Sequence, residues 1–140
     1  MQRILVATDG SETAARAVAW AGEMAARYES ELLVLRVVVD GTVEDGAEEA
    51  LRRLGEAAGA SRARGKVVAA DDPSAAIVEA AEAEDADVVV VGNVGMSGRK
   101  EFLLGNVPNR VSHNARCTVV IVNTQREERR GLGRLLGRSR

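Results

Sequence analysis

The sequence predicts an α/β fold in which a mostly parallel sheet is covered by helices on both faces. Three observations carry that expectation. Short apolar runs alternate with helical stretches through most of the chain. The runs are rich in β-branched residues and are not interleaved with polar ones, which is how strands buried on both faces read. Aromatic residues make up only 2% of a chain that is 46% hydrophobic, so Val, Ala, Leu and Ile must fill the core, which suits layered strands under small-faced helices.

The elements follow in order. Ile4 to Ala7 is the first strand. A helix from Ser11 to Arg27 places Ala14, Val18, Ala21 and Ala25 on one face and Arg16, Trp20, Glu23 and Arg27 on another. The second strand, Leu32 to Val39, is interrupted by Arg36, and an Ala- and Glu-rich helix carrying Leu51 and Leu54 spans Ala47 to Ala60. A weaker run, Lys66 to Ala70, is expected at a sheet edge. Asp72-Pro73 then opens a helix running to about Ala83, with Asp as N-cap and Pro in the first helical position. Val88 to Val91 is the fourth strand. The last helix begins near Asn106 with Pro108 in its first turn and Val107, Val111 and Ala115 at intervals of four, and Val119 to Val122 closes the sheet. Right-handed crossovers join such parallel strands, and ligands bind beyond the strands' carboxyl ends where strand order reverses.

At 140 residues the chain fits one domain with a sizeable core. A formal net charge of -2 argues against a nucleic-acid or membrane surface. No apolar run approaches the roughly 20 residues of a membrane span, and Met1-Gln2-Arg3 leads straight into a strand, so the expected location is cytoplasmic. A lone Cys117 and a lone His113 provide no zinc-ligand spacing. Asp40, Glu44 and Asp45 lack calcium-loop spacing and read as a solvated loop. Residues 1–124 are expected to form the domain. From Gln125 onward, Arg126, Arg129, Arg130, Arg134, Arg138 and Arg140 alternate with Glu, Gly and Leu, so residues 125–140 read as an Arg-rich flexible tail or linker, with partner binding as the other reading.

Two stretches could carry chemistry. Ala7-Thr8-Asp9-Gly10-Ser11 places a hydroxyl, a carboxylate and a helix-capping serine after the first strand; the carboxylate suits a metal ion or a ribose hydroxyl, and the same residues also make an ordinary strand-to-helix turn. The second runs from Gly92 to Asn106. Gly92 and Gly95 allow close backbone approach to a ligand, and the amides around Gly105, Asn106 and Val107 lie at a helix N-terminus suited to anionic oxygens. It is neither a Walker loop nor a dinucleotide fingerprint, since it lacks Gly-Lys-Ser/Thr and follows a late strand. Arg99, Lys100 and Arg110 could reach phosphates or remain solvated. His113 has no nucleophile placed beside it, and Cys117 reads as a small core residue.

The spacing Gly92-x2-Gly95-x9-Gly105, followed by a small polar residue, resembles the ATP-binding signature of universal stress proteins. The likeness extends to Asp9-Gly10-Ser11 and to the junction Asn114 to Val122, covering roughly residues 1 to 124. It implies a Rossmann-like open parallel sheet of five strands in the order 3-2-1-4-5. It also implies that Ala7, Thr8 and Asp9 line the nucleotide, with Asp9 toward its metal, and that Val37 meets adenine through its backbone. Gly92, Gly95, Gly105, Asn106 and Val107 would surround ribose and phosphates, with Asn93, Met96 and Gly98 completing the set. Asn106 stands where the family usually has Ser or Thr, and Asp71 where a Gly commonly precedes the Pro, here separated from it by Asp72.

The implied role is a stress-response sensor or regulator that binds ATP, with magnesium, and hydrolyses it little or not at all. AMP or cyclic AMP could replace ATP, since the glycine loop reports phosphate binding more than phosphate number. The alternatives are a slow magnesium-dependent ATPase or nucleotidyl-transfer enzyme using Asp9, and an interaction module that binds no nucleotide. The family implies a homodimer through the last strand, Thr118 to Asn123, whose unpaired apolar edge would independently encourage it.

Overall fold

The computed structural model describes residues 1–93 and 106–123. Its elements are β1 (Arg3–Thr8), α1 (Glu12–Tyr28), β2 (Glu31–Val38), α2 (Ala47–Ala57), β3 (Arg62–Ala69), α3 (Pro73–Ala83), β4 (Val88–Gly92), α4 (Val107–Asn114) and β5 (Thr118–Val122). The five strands form one sheet in the order β3-β2-β1-β4-β5, and every pairing is parallel. The expected α/β fold and strand order are therefore the observed ones.

Strand periodicity sorts the side chains into two cores. Ile4, Val6, Leu32, Val34, Val88 and Val90 face α1 and α2, meeting Ala17, Val18, Ala21, Ala25 and Leu51. Leu5, Ala7, Leu33, Leu35, Val89 and Val91 face α3 and α4, meeting Ile77, Ala80, Ala81, Val107 and Val111. Ile4 to Ala7, Leu32 to Leu35 and Val88 to Val91 of the three central strands are buried on both sides, which is why they read as apolar runs. Trp20, on the face assigned to charged residues, packs partly buried against the first core with Val120 and Val122 of β5.

The starts of α1 and α3 match their capping chemistry. Ser11 Oγ accepts from Ala14 N at 3.1 Å, and Asp72 Oδ1 accepts from Ser74 N at 3.1 Å and Ala75 N at 3.3 Å. The ends diverge more from expectation. α2 stops at Ala57, because Gly59 turns the chain at φ +122° and buries Ala60. β3 begins at Arg62, four residues before the apolar run, because its pairing with β2 starts at Glu31↔Arg62. Its charged residues have partners there: Arg62 donates to the Glu29 carbonyl, Arg64 pairs with Glu31 and Glu84, and Lys66 pairs with Glu84. Glu84 is held below the ordinary glutamate pKa by the Arg64 hydrogen bond first, then by Lys66. On its outer edge β3 is blunted by Glu48, whose Oε2 accepts from Val67 N at 3.0 Å.

α2 lies so close to β3 that only glycine fits between them. A Cβ at Gly65 would stand 2.1 Å from the Glu48 carbonyl oxygen and 2.7 Å from the Leu51 Cβ. Gly65→Ala is expected to destabilise the protein by about 2 kcal/mol or more, the range of overpacked cores. Urea unfolding would show it as a lower midpoint, and an unchanged midpoint would mean that α2 is free to move off the sheet.

Candidate functional site

β1 is the third strand of five, and the chain's crossovers diverge from it: β2 and β3 build out on one side, β4 and β5 on the other. The carboxyl ends of β1 and β4 are consequently neighbours with no crossover between them, the position at which open α/β sheets bind their ligands. The pairs Ile4↔Val88, Leu5↔Val89 and Val6↔Val90 set the register. Two residues further on, Thr8 is level with Gly92, so the turn after β1 and the start of the glycine loop share one edge.

The turn after β1 is held by its own side chains. Thr8 is buried, with 4% exposure, and its Oγ1 accepts from Gly10 N at 3.0 Å. Asp9 is half-buried, and its Oδ1 accepts from Ser11 N at 2.9 Å, an Asx turn feeding the α1 cap. One carboxylate oxygen is thus committed to the backbone, and the other has no partner among the described residues. Gly10 has φ +87°, a conformation that disfavours any side chain.

On β4, Gly92 is half-buried and pairs with Val122, and Asn93 N donates to the Val122 carbonyl at 2.8 Å, extending the ladder one residue past the strand. Asn106 caps α4 by position only, since its side chain makes no capping hydrogen bond, while Val107 is buried among the second core's residues. Ala7 is buried at the end of β1, and Val37 is half-buried near the end of β2. Gly95, Met96, Gly98 and Gly105, together with Arg99 and Lys100, lie outside the described residues. So does the Arg-rich segment from Gln125.

Several side residues find other employment. Arg110, a possible phosphate ligand in sequence, lies 3.8 Å from Asp72 and ties the first turn of α4 to the cap of α3. Asp72 is held below the ordinary aspartate pKa by the Ser74 side chain first, then by Ala75 N–H, with Arg110 adding to it. His113 sits in the last turn of α4, where the dipole favours a cation. Cys117 precedes β5 at the sheet's other end, in an open cleft of about 420 Å³ with Val78, Glu82 and Arg116. Burial pushes its thiol pKa up, which makes it a poor nucleophile. No group of three or more His, Cys, Asp or Glu side chains among the described residues could hold a metal ion, and none of the described helices is long and apolar enough to cross a membrane.

One feature of this edge went unread in the sequence. Arg36, noted only as a break in the second strand, is the registered neighbour of Thr8, and its guanidinium lies over the turn after β1. A Cβ at Gly10 would be 3.2 Å from the Arg36 Nη1. A cation interrupting an apolar strand near its carboxyl end is the sequence signal that marks it.

The profile of the universal stress protein family matches residues 1–123. A universal stress protein of Thermus aquaticus is 36% identical over 132 residues, covering 85% of this chain and 96% of the relative. The chain belongs to the universal stress protein family. Among solved structures, a universal stress protein in complex with cAMP is 34% identical and superposes with a TM-score of 0.71, covering 88% of this chain and 97% of that one. Another, from Archaeoglobus fulgidus in complex with dAMP, is 21% identical with a TM-score of 0.67, covering 88% and 98%, and shares the fold.

In this universal stress protein the Asp72 cap has a measurable consequence. A carboxylate whose native pKa is lowered contributes stability that is fully present above the ordinary value of 3.8 and is lost as pH falls through the native value. Asp72→Ala should therefore cost about 1 kcal/mol near neutral pH, Asp72→Asn much less, because Asn also caps well. The gap between wild type and Asp72→Ala should narrow as pH falls below 3.8. Urea midpoints across that range check it, and a gap that widens on acidification would contradict the assignment.

Proposed function

We propose that the protein binds an adenine nucleotide at the carboxyl edge of its sheet and acts as a sensor or regulator, with little or no hydrolysis. The observation that carries this reading is the neighbouring of Thr8-Asp9 and Gly92 at the point where strand order reverses. The relative solved with cAMP, at 34% identity, supports an adenine nucleotide as the ligand class.

In this reading Val37 meets the adenine ring through its backbone, and Ala7, Thr8 and Asp9 line the ribose side. Gly92, Asn93, Gly95, Met96, Gly98, Gly105, Asn106 and Val107 enclose the phosphates, where glycine amides and a helix N-terminus favour anionic oxygens. Asp9 holds a ribose hydroxyl or, when a triphosphate is bound, magnesium. Its remaining carboxylate oxygen is suited to either role, since the first is committed to Ser11. ATP, AMP and cyclic AMP all satisfy the same contacts at the base and the first phosphate.

Little or no hydrolysis is what the chemistry proposed for the site supports. A phosphate cradle orients and neutralises the ligand, whereas hydrolysis also needs a positioned base or water-orienting group. The occupied protein would signal as a homodimer paired through β5, where Ile121 is 43% exposed, in the cytoplasm.

Calorimetric titration with ATP, AMP and cyclic AMP in magnesium buffer tests the reading. Wild type should bind at least one of them with micromolar affinity, about 8 kcal/mol. Gly105→Asp should abolish binding by placing a carboxylate among the phosphates, and Asp9→Asn should weaken ATP binding more when magnesium is present than when it is chelated. Wild type and Gly105→Asp behaving alike would overturn the site.

A further inference from the structure

Arg36 stands out by what it does not do. Arg3, Arg27, Arg52, Arg53, Arg64, Lys66, Arg110 and Arg116 each pair with a carboxylate, Arg62 donates to the Glu29 carbonyl, and Arg16 is also engaged. Among the described residues Arg36 alone of the arginines and lysines has no such partner. It also occupies a strand whose preceding four residues, Leu32 to Leu35, are fully buried. An apolar residue at that register position would simply lengthen the first core.

Its direction adds to this. Arg36 belongs to β2, yet its guanidinium lies over Gly10, in the turn after β1, where a Cβ would come within 3.2 Å of Nη1 and 3.5 Å of Cζ. Neighbouring strands are about 4.8 Å apart, so the side chain carries its charge one strand closer to β4 than its own backbone. The head therefore lies over the turn after β1, at the carboxyl edge of the sheet that β4 shares. Glycine at position 10 keeps that path open.

We propose that Arg36 is a further ligand-binding residue, donating a charge-assisted hydrogen bond to the phosphate group nearest the ribose of the bound nucleotide. The proposal rests on the nucleotide reading of this edge and adds a contact from β2 that the glycine loop does not provide. The guanidinium matches the need: it is always charged, and its planar fork pairs with two phosphate oxygens at once, which an ammonium cannot. The ligand class that follows is an adenosine 5′-phosphate of any chain length, cyclic or open, in preference to the bare nucleoside.

Titration of wild type, Arg36→Ala, Arg36→Lys and Arg27→Ala with AMP, ATP and adenosine tests it. Arg27, at the far end of α1 and paired with Glu23, is the control for general charge loss. Arg36→Ala should weaken AMP and ATP by roughly tenfold or more, the worth of a hydrogen bond to a charged group, and leave adenosine unchanged. Arg36→Lys should recover part of the loss, and Arg27→Ala should bind as wild type does. The melting temperature of unliganded Arg36→Ala should equal that of wild type, since no partner among the described residues is lost.

AMP binding by Arg36→Ala at wild-type affinity, or an equal loss for adenosine and AMP, would overturn this contact while leaving the nucleotide site standing. Failure of wild type to bind AMP and ATP would remove the nucleotide reading and this contact with it.

Discussion

The reversal of strand order at β1 is the constraint on which the rest of the structure depends. Parallel strands that follow one another in the chain need a crossover, here a helix, and each crossover covers one face of the sheet. Two crossovers build outward from β1 through β2 to β3 and lay α1 and α2 on one face; α3 then carries the chain from β3 back to β4 on the far side of β1, and α4 joins β4 to β5, both on the opposite face. The ends of β1 and β4 are left adjacent and uncrossed, and polar chemistry collects there. Thr8, Asp9 and Gly92 owe their proximity to topology, since more than 80 residues separate them along the chain.

The opposite, amino edge of the sheet is built for rigidity. Asp87 accepts from the backbone N–H of Gln2 and Arg3, joining the entry to β4 with the entry to β1. Arg3, Glu31, Arg64, Glu84 and Lys66 continue as a chain of ion pairs across β1, β2, β3 and the end of α3. The two edges thus divide the work. One ties strands together with paired charges, and the other leaves a carboxylate oxygen of Asp9 and the guanidinium of Arg36 without partners among the described residues.

Much of this was legible in the sequence because the central strands are buried on both faces and because helix starts carry chemical signatures. Ile4 to Ala7 and Val88 to Val91 could scarcely be anything else, and Asp72-Pro73 marks the start of α3 to the residue. β3 was half-hidden for a physical reason: its first residues, Arg62 to Lys66, are stabilised by ion pairs and by α2 on one face, so they show no apolar run. Asp9 was recognisable as a carboxylate at a strand end, but the commitment of one oxygen to Ser11 depends on the turn's three-dimensional path. Arg36 was visible only as an interruption, because what it lies over is set by its registry with Thr8, and registry between strands is a tertiary fact.

Occupancy of the edge where β1 and β4 meet is the property that distinguishes a nucleotide site from an ordinary strand-to-helix turn. A site that neutralises phosphates with backbone amides and an arginine should retain its ligand through purification at low salt, where such electrostatic contacts are least screened. The most direct measurement is to denature freshly purified wild-type protein and identify the released small molecules by mass. The account predicts an adenine nucleotide, present at a substantial fraction of the protein and missing from Gly105→Asp prepared in parallel. The same nucleotide in equal amount from both proteins, or none from wild type even after incubation with excess AMP and ATP, would contradict it.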